Sequence, residues 1–151
     1  MVGLVARLFY RSVWAFGCLL PLAFGYVWLQ SKDRERLRHE QMEYRFVDAL
    51  AALSGALKAG YSVEHALIEA GKELEVLYGI STPICQEFRL IRSKLEMNRQ
   101  PEEALMEFAA RTRLEDAVVF AEVFAIANRA GGDMIAVVGK TSEMIGEKLR
   151  A

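Results

Sequence analysis

Residues 57–69 read Leu57-Lys-Ala-Gly60-Tyr-Ser62-Val-Glu64-His-Ala66-Leu67-Ile-Glu69, and this stretch decides the fold. An apolar stripe stops at Gly60, a residue type that readily takes the left-handed conformation needed just past a helix end. Ser62 then offers a hydroxyl to cap the next helix. Upstream, Met42, Phe46, Leu50, Leu53 and Leu57 recur at steps of four, four, three and four, the spacing of one helical face. Downstream, Val63, Leu67, Ala70, Leu74 and Leu77 recur at four, three, four and three. A helix, a tight turn and a second helix are expected here.

The same grammar continues to the end of the chain. Ile84, Phe88, Ile91 and Leu95 form a stripe, and Leu105, Phe108 and Ala109 a shorter one. Leu114, Val118, Ala121 and Ala125 share a face, with Phe120 and Phe124 beside it. Met134, Val138, Ile145 and Leu149 close the set, and Met97, Met106, Met134 and Met144 read as core filler. The breaks carry capping chemistry. Thr82-Pro83 reads as an N-cap followed by proline at the first helical position, and Pro101 opens a helix whose first turn holds Glu102 and Glu103. Thr112-x-x-Glu115 matches a capping box, Gly131-Gly132 ends a helix, and Asp133 is placed to cap the last one. There is no sustained alternation and no Asn-Gly or Asp-Gly turn, so no strand is expected. The reading is an all-α protein, with six helices near 32–59, 63–77, 83–98, 101–111, 114–130 and 133–150. Short loops make neighbours antiparallel.

One turn recurs. Gly60-Tyr-Ser-Val-Glu64-His-Ala66-Leu67-Ile-Glu69 aligns without a gap, 38 residues on, with Asn98-Arg-Gln-Pro-Glu102-Glu-Ala104-Leu105-Met-Glu107. Glycine and asparagine are the residues that best tolerate a left-handed turn position. The small Ala66 and Ala104 let two helices approach, and Leu67 and Leu105 pack between them. An internal helix-turn-helix repeat is the expectation.

The N-terminus is different. Ser12 to Ser31 carries no charge over 20 residues, enough for a helix of roughly 30 Å, the thickness of a bilayer core. Trp14 lies near one end, Tyr26 and Trp28 near the other, as suits the two lipid–water interfaces. Gln30-Ser31-Lys32-Asp33 lacks a signal-peptidase pattern, so the segment reads as an uncleaved anchor. Arg7 and Arg11 precede it, while Lys32, Arg34, Arg36 and Arg38 follow it. The larger basic cluster is expected to stay inside the cell. The expected organisation is an anchor segment, 1–31, with its transmembrane helix at 12–31, followed by a cytoplasmic six-helix domain, 32–151.

Composition narrows the function. The chain has 151 residues, 53% hydrophobic and 26% charged, with a formal net charge of −1. That is too apolar for disorder and lacks a basic nucleic-acid footprint. The two cysteines, Cys18 and Cys85, cannot make a disulfide framework. His39 and His65 have no partner at metal-ligand spacing, so no metal and no cofactor are expected. Gly139-Lys140-Thr141 ends like a phosphate-binding loop, but Met134 stands where the first glycine is required. No nucleophile, base and oxyanion site assemble, and a non-enzymatic role is expected. The second helix is acidic. Glu64, Glu69 and Glu73, at steps of five and four, are expected to share one broad sector that could dock a basic partner surface.

Three pieces resemble a known family. Leu57-Lys-Ala-Gly60-Tyr-Ser62-Val-Glu-His-Ala66-Leu67 is similar to the turn of the type II secretion system F family. Leu95-Glu-Met-Asn98-Arg-Gln-Pro-Glu-Glu-Ala104-Leu105-Met-Glu-Phe-Ala109 resembles its second half, and Phe124-Ala-Ile-Ala127-Asn-Arg-Ala-Gly131-Gly132-Asp-Met its closing motif. The resemblance spans about residues 40–150 and is nearest to the tight-adherence pilus members, as a short version. Asn98 departs from the glycine usual there, and the sequence ends at Ala151, where further membrane helices usually follow. The resemblance implies a six-helix cytoplasmic domain in an inner-membrane platform of a type II secretion or type IV or tight-adherence pilus machine. It implies coupling of a cytoplasmic assembly ATPase to pilin or pseudopilin movement. The partners would be that ATPase, other platform subunits or pilins, the lipid bilayer and further copies in a homo- or hetero-oligomer. The alternative reading is a single-pass, membrane-anchored helical adaptor that tethers a cytoplasmic partner.

Overall fold

The structure, a computed structural model, describes Val2, Gly3, Tyr26 and residues 34–151. Apart from Tyr26, the expected span 12–31 lies outside the described residues, as do Arg7, Arg11 and Lys32. Among the described residues no helix is long and apolar enough to cross a membrane. The chain divides into two compact units, Met1–Arg38 and His39–Ala151. In the first, the described residues 34–38 are helical and exposed, Arg34, Arg36 and Arg38 included.

The second unit is an all-α helical bundle, with no strand among the described residues. Residues 39–58 form α1. The other helices are α2 (Val63–Tyr78), α3 (Pro83–Glu96), α4 (Pro101–Thr112), α5 (Glu115–Arg129) and α6 (Met134–Arg150). Side-chain pairs fix the relative direction of neighbouring helices. Tyr78 of α2 reaches Asp48 of α1, Arg111 of α4 reaches Glu87 of α3, and Asn128 of α5 reaches Glu102 of α4. Lys148 of α6 likewise meets Asp116 of α5. Successive helices therefore run antiparallel.

Phenylalanines fill the centre. Phe46 of α1 has ring centroids 5.7 Å from Phe108 of α4 and 6.0 Å from Phe120 of α5. Phe88 of α3 meets Phe108 edge-on at 5.9 Å, and Phe120 lies 5.7 Å from Phe124. Such tilted and edge-on contacts add to the burial of large apolar area. Around them Leu50, Leu53, Leu67, Leu74, Ile84, Ile91, Leu105 and Leu114 are almost fully buried. Small residues set the close approaches. A Cβ on Gly71 of α2 would stand 3.3 Å from Phe88 Cβ of α3. One on Gly139 or Gly146 of α6 would meet Ser54 Oγ at 3.6 Å or Val47 Cγ1 at 3.7 Å, both on α1.

Several details differ from the expectation. The expected α5 stripe is rotated: Ala117, Phe120, Ala121 and Phe124 are buried, while Val118 is exposed. Two aromatic rings bury more area than Val118 and Ala125, so they choose the inward face. Leu77 is 58% exposed, because Tyr78 rather than Leu77 ties the last turn of α2 to α1. Met97, Met106 and Met144 are surface residues, not core filler. The Thr112 capping box does not form. Thr112 is the last residue of α4, and its hydroxyl donates to the Phe108 carbonyl at 2.9 Å. Buried Leu114 takes the N-cap position of α5 with no side-chain bond, leaving Glu115 and Asp116 to face the helix N-terminus. Thr82 occupies the N-cap of α3, but its hydroxyl donates backward to the Gly79 carbonyl at 2.6 Å.

Candidate functional site

The turns expected to matter have definite geometry. Gly60 has φ 97°, Asn98 φ 58° and Gly131 φ 66°. At each the chain closes with the same pair of backbone bonds. Around Gly60 these are Gly60 N–H to Leu57 O, 3.1 Å, and Tyr61 N–H to Ala56 O, 3.2 Å. Around Asn98 they are Asn98 N–H to Leu95 O and Arg99 N–H to Lys94 O, each 3.0 Å. Gly131 and Gly132 donate to Asn128 and Ala127, and a Cβ on Gly132 would stand 3.2 Å from the Ala127 carbonyl oxygen. These bonds absorb carbonyls that a helix end leaves free. Beyond the first two turns Ala66 and Ala104 are fully buried, with Leu67 and Leu105 nearly so. Gly79 (φ 85°) and Arg113 (φ 55°) also take positive φ, and neither was expected.

Glu64, Glu69 and Glu73 do not form one sector. At 100° per residue, Glu64 lies about 140° around α2 from Glu69 and about 180° from Glu73. Glu69 and Glu73 border one shallow recess with Lys72, Tyr61 and Val76, and Glu64 is not part of it. Glu69 is held by Lys72 at 2.8 Å, while Glu73 has no ion pair among the described residues.

The apolar grooves lie elsewhere. One, of about 330 Å³, runs between α5 and α6 over Val119, Val123, Val137, Met144 and Ile145. Lys140, Lys148 and Asp116 stand at its rim. The Lys148 ammonium donates to Asp116 at 3.1 Å, and that bond holds its pKa above the ordinary lysine range. Lys140 makes no ion pair among the described residues. The second groove, about 790 Å³, lies between α4 and α5, with Met106 and Ile126 exposed beside Glu102, Glu103, Glu122 and Arg129. Glu102 accepts from Asn128 at 2.6 Å through Oε1, while its buried Oε2 has no partner among the described residues. Each groove is assembled from two helices. Its only signal in the sequence was the surplus of apolar residues on α5, which supports both an inward and an outward face.

The polar residues weighed for chemistry are dispersed. Ser62 caps α2, its oxygen accepting from the His65 N–H at 3.4 Å and lying 3.0 Å from His65 Nδ1. Both are exposed, and no carboxylate contacts that ring among the described residues. His39 lies 3.8 Å from Glu43 on an exposed turn. Cys85 is buried at the start of α3. Gly139-Lys140-Thr141 sits inside α6, where the Thr141 hydroxyl donates to the Val137 carbonyl at 2.8 Å. A phosphate-binding loop needs exposed backbone N–H groups ahead of a helix, and here the helix bonds consume them.

Tyr78 ties the last turn of α2 to α1. Its hydroxyl donates to Asp48, and Arg45 lies over its ring, 4.9 Å from the centroid. The Asp48 hydrogen bond, then loss of solvent, raise its pKa above the ordinary 10.0. Together these elements define an all-α bundle with two apolar grooves among the described residues. Comparison with family models, curated proteins and solved structures gives no match.

Proposed function

We propose that this chain is a platform component of a type II secretion or type IV or tight-adherence pilus machine. In this reading residues 12–31 anchor it in the inner membrane and the bundle lies in the cytoplasm. There it couples an assembly ATPase to pilin or pseudopilin movement. The observation that carries the reading is the left-handed conformation of Gly60, Asn98 and Gly131. Each lies in one of the three stretches that resemble the type II secretion system F family, and Asn98, where glycine is usual, takes the same left-handed conformation as Gly60 and Gly131. The 38-residue correspondence of the two helix–turn–helix segments, each with a buried Ala-Leu pair, is read as the internal repeat.

The mechanism is mechanical. A bundle joined by short, capped turns moves as packed helices rather than as loops, and a partner that prefers one packing shifts the population toward it. The test is co-expression of the full chain with a secretion-type assembly ATPase from the same genome, followed by purification in mild detergent. Stable co-elution is expected. A folded chain that leaves the ATPase behind would reject the platform reading in favour of an adaptor for some other partner.

A further inference from the structure

The α5–α6 groove, the α4–α5 groove and the shallow recess beside Val76 all present apolar side chains to water. Their charges set them apart. In the α5–α6 groove Asp116 holds Lys148, which leaves Lys140 alone. In the recess Lys72 holds Glu69, which leaves Glu73 alone. A lone charge selects no occupant. In the α4–α5 groove Arg99 holds Glu103 at 2.6 Å and Asn128 donates to Glu102. Glu122 and Arg129 of that groove, opposite in sign, make no ion pair among the described residues. Both are exposed on α5, and Ile126, between them, is 70% exposed. At 100° per residue the three fall within a sector of about 60°. Glu122 and Arg129 are nevertheless about 10 Å apart along the helix, too far to pair with each other.

We infer that the α4–α5 groove is a two-fold contact between two copies of this chain, in which their α5 helices meet antiparallel near Ile126 and Glu122 of each faces Arg129 of the other. A two-fold axis through the middle of residues 122–129 reverses their order. The acidic end of one copy therefore meets the basic end of the other, and symmetry makes that pair twice. A parallel approach would set like charges side by side, which costs affinity. Ile126 of each copy lies against the other's groove wall at Met106, itself 45% exposed. Methionine suits such a seat because its unbranched side chain conforms to the surface it meets. Covering the apolar side chains drives the contact, and the two ion pairs set its orientation and association rate. One face of one helix thus supplies an apolar anchor and two charges that find in a second copy the partners they lack within the chain. The inference goes beyond the platform reading and needs no ATPase, so either can fail without the other.

The test combines disulfide trapping and sedimentation of the full chain in detergent, in a Cys18→Ser background that keeps the buried Cys85. Ile126→Cys, exposed and near the axis, is expected to give a covalent dimer under mild oxidation. Val76→Cys, exposed but outside the groove, should give several-fold less. Arg129→Glu in the Ile126→Cys chain should lower the yield several-fold by setting like charges opposite one another. Adding Glu122→Arg should restore it, because the exchanged pair is again opposite in sign. By sedimentation, the chain with Ile126 intact should be a dimer and Ile126→Glu a monomer, with circular dichroism verifying unchanged helix content. A chain that sediments as a monomer and gives no covalent dimer would overturn the contact and leave the groove to a different partner. A dimer that persists unchanged through Ile126→Glu and through both charge changes would also overturn it, in favour of pairing through another face.

Discussion

Gly60 and Asn98 carry the same turn with different residues, and the difference has a measurable price. Their φ values, 97° and 58°, lie where a β-branched side chain clashes with its own backbone. Gly60→Val is expected to lower unfolding free energy by about 1–2 kcal/mol or more, and Gly60→Asn by less. Asn98→Gly should be close to neutral. Urea unfolding of the three variants checks the order, and equal midpoints would refute the shared cap geometry. Tyr78 offers a pH test. Its folded pKa is raised above 10.0, so the Asp48 bond contributes stability that is complete below the unfolded value. That contribution is lost as pH rises through the folded value, because the ionised phenolate cannot donate. Tyr78→Phe should therefore destabilise the bundle near about pH 8, and the gap from wild type should shrink above the ordinary tyrosine range. A gap that widened with pH would contradict the assigned donor.

Helix ends show where local chemistry and packing divide the work. Asp133 accepts from Ile135 N–H at 3.1 Å and Ala136 N–H at 3.2 Å, so it caps α6 with its side chain. Thr112 caps nothing on α5, since its hydroxyl is spent within α4. Asp133→Ala should cost about 1 kcal/mol, and Thr112→Ala only a few tenths. Thermal melts of both variants decide this, and a larger loss at Thr112 would reinstate the capping box. Within α2 a similar contrast separates two leucines of one stripe. Leu74 is fully buried and Leu77 mostly exposed. Leu74→Ala should cost about 2–5 kcal/mol, while Leu77→Ala should stay within about 0.5 kcal/mol. Comparable losses at both would place Leu77 under cover.

For the bundle as a body, the phenylalanine cluster holds four helices to one centre. Phe108 touches both Phe46 and Phe88, so it links α4 to α1 and α3. Phe108→Ala should remove about 3–5 kcal/mol, a large share of what a domain of this size possesses. Helical signal should survive in part while cooperative unfolding broadens, as seen by calorimetry against circular dichroism. A sharp transition at an unchanged temperature would show that the cluster is not the centre. The ion pairs contribute little beside this. Arg92–Glu96 and Arg99–Glu103 are exposed i,i+4 pairs, and raising the salt concentration should shift the midpoint only slightly.

Periodicity and capping residues determined by themselves the all-α class of the described residues, where α2 to α6 begin and end to within two residues, and the positive φ at Gly60 and Asn98. These are local properties, decided by backbone sterics and by bonds between residues close in the chain. Rotation about each helix axis is not local. Whether Val118 or Phe120 faces inward depends on Phe46, which lies 74 residues away from Phe120 in the chain. The exposure of Met144 and Leu77 depends equally on which neighbour reaches them. The grooves follow from those rotations, because each is the gap left when two helices commit their largest side chains to a common core. The tertiary structure alone therefore decided where the apolar surface of this protein meets water.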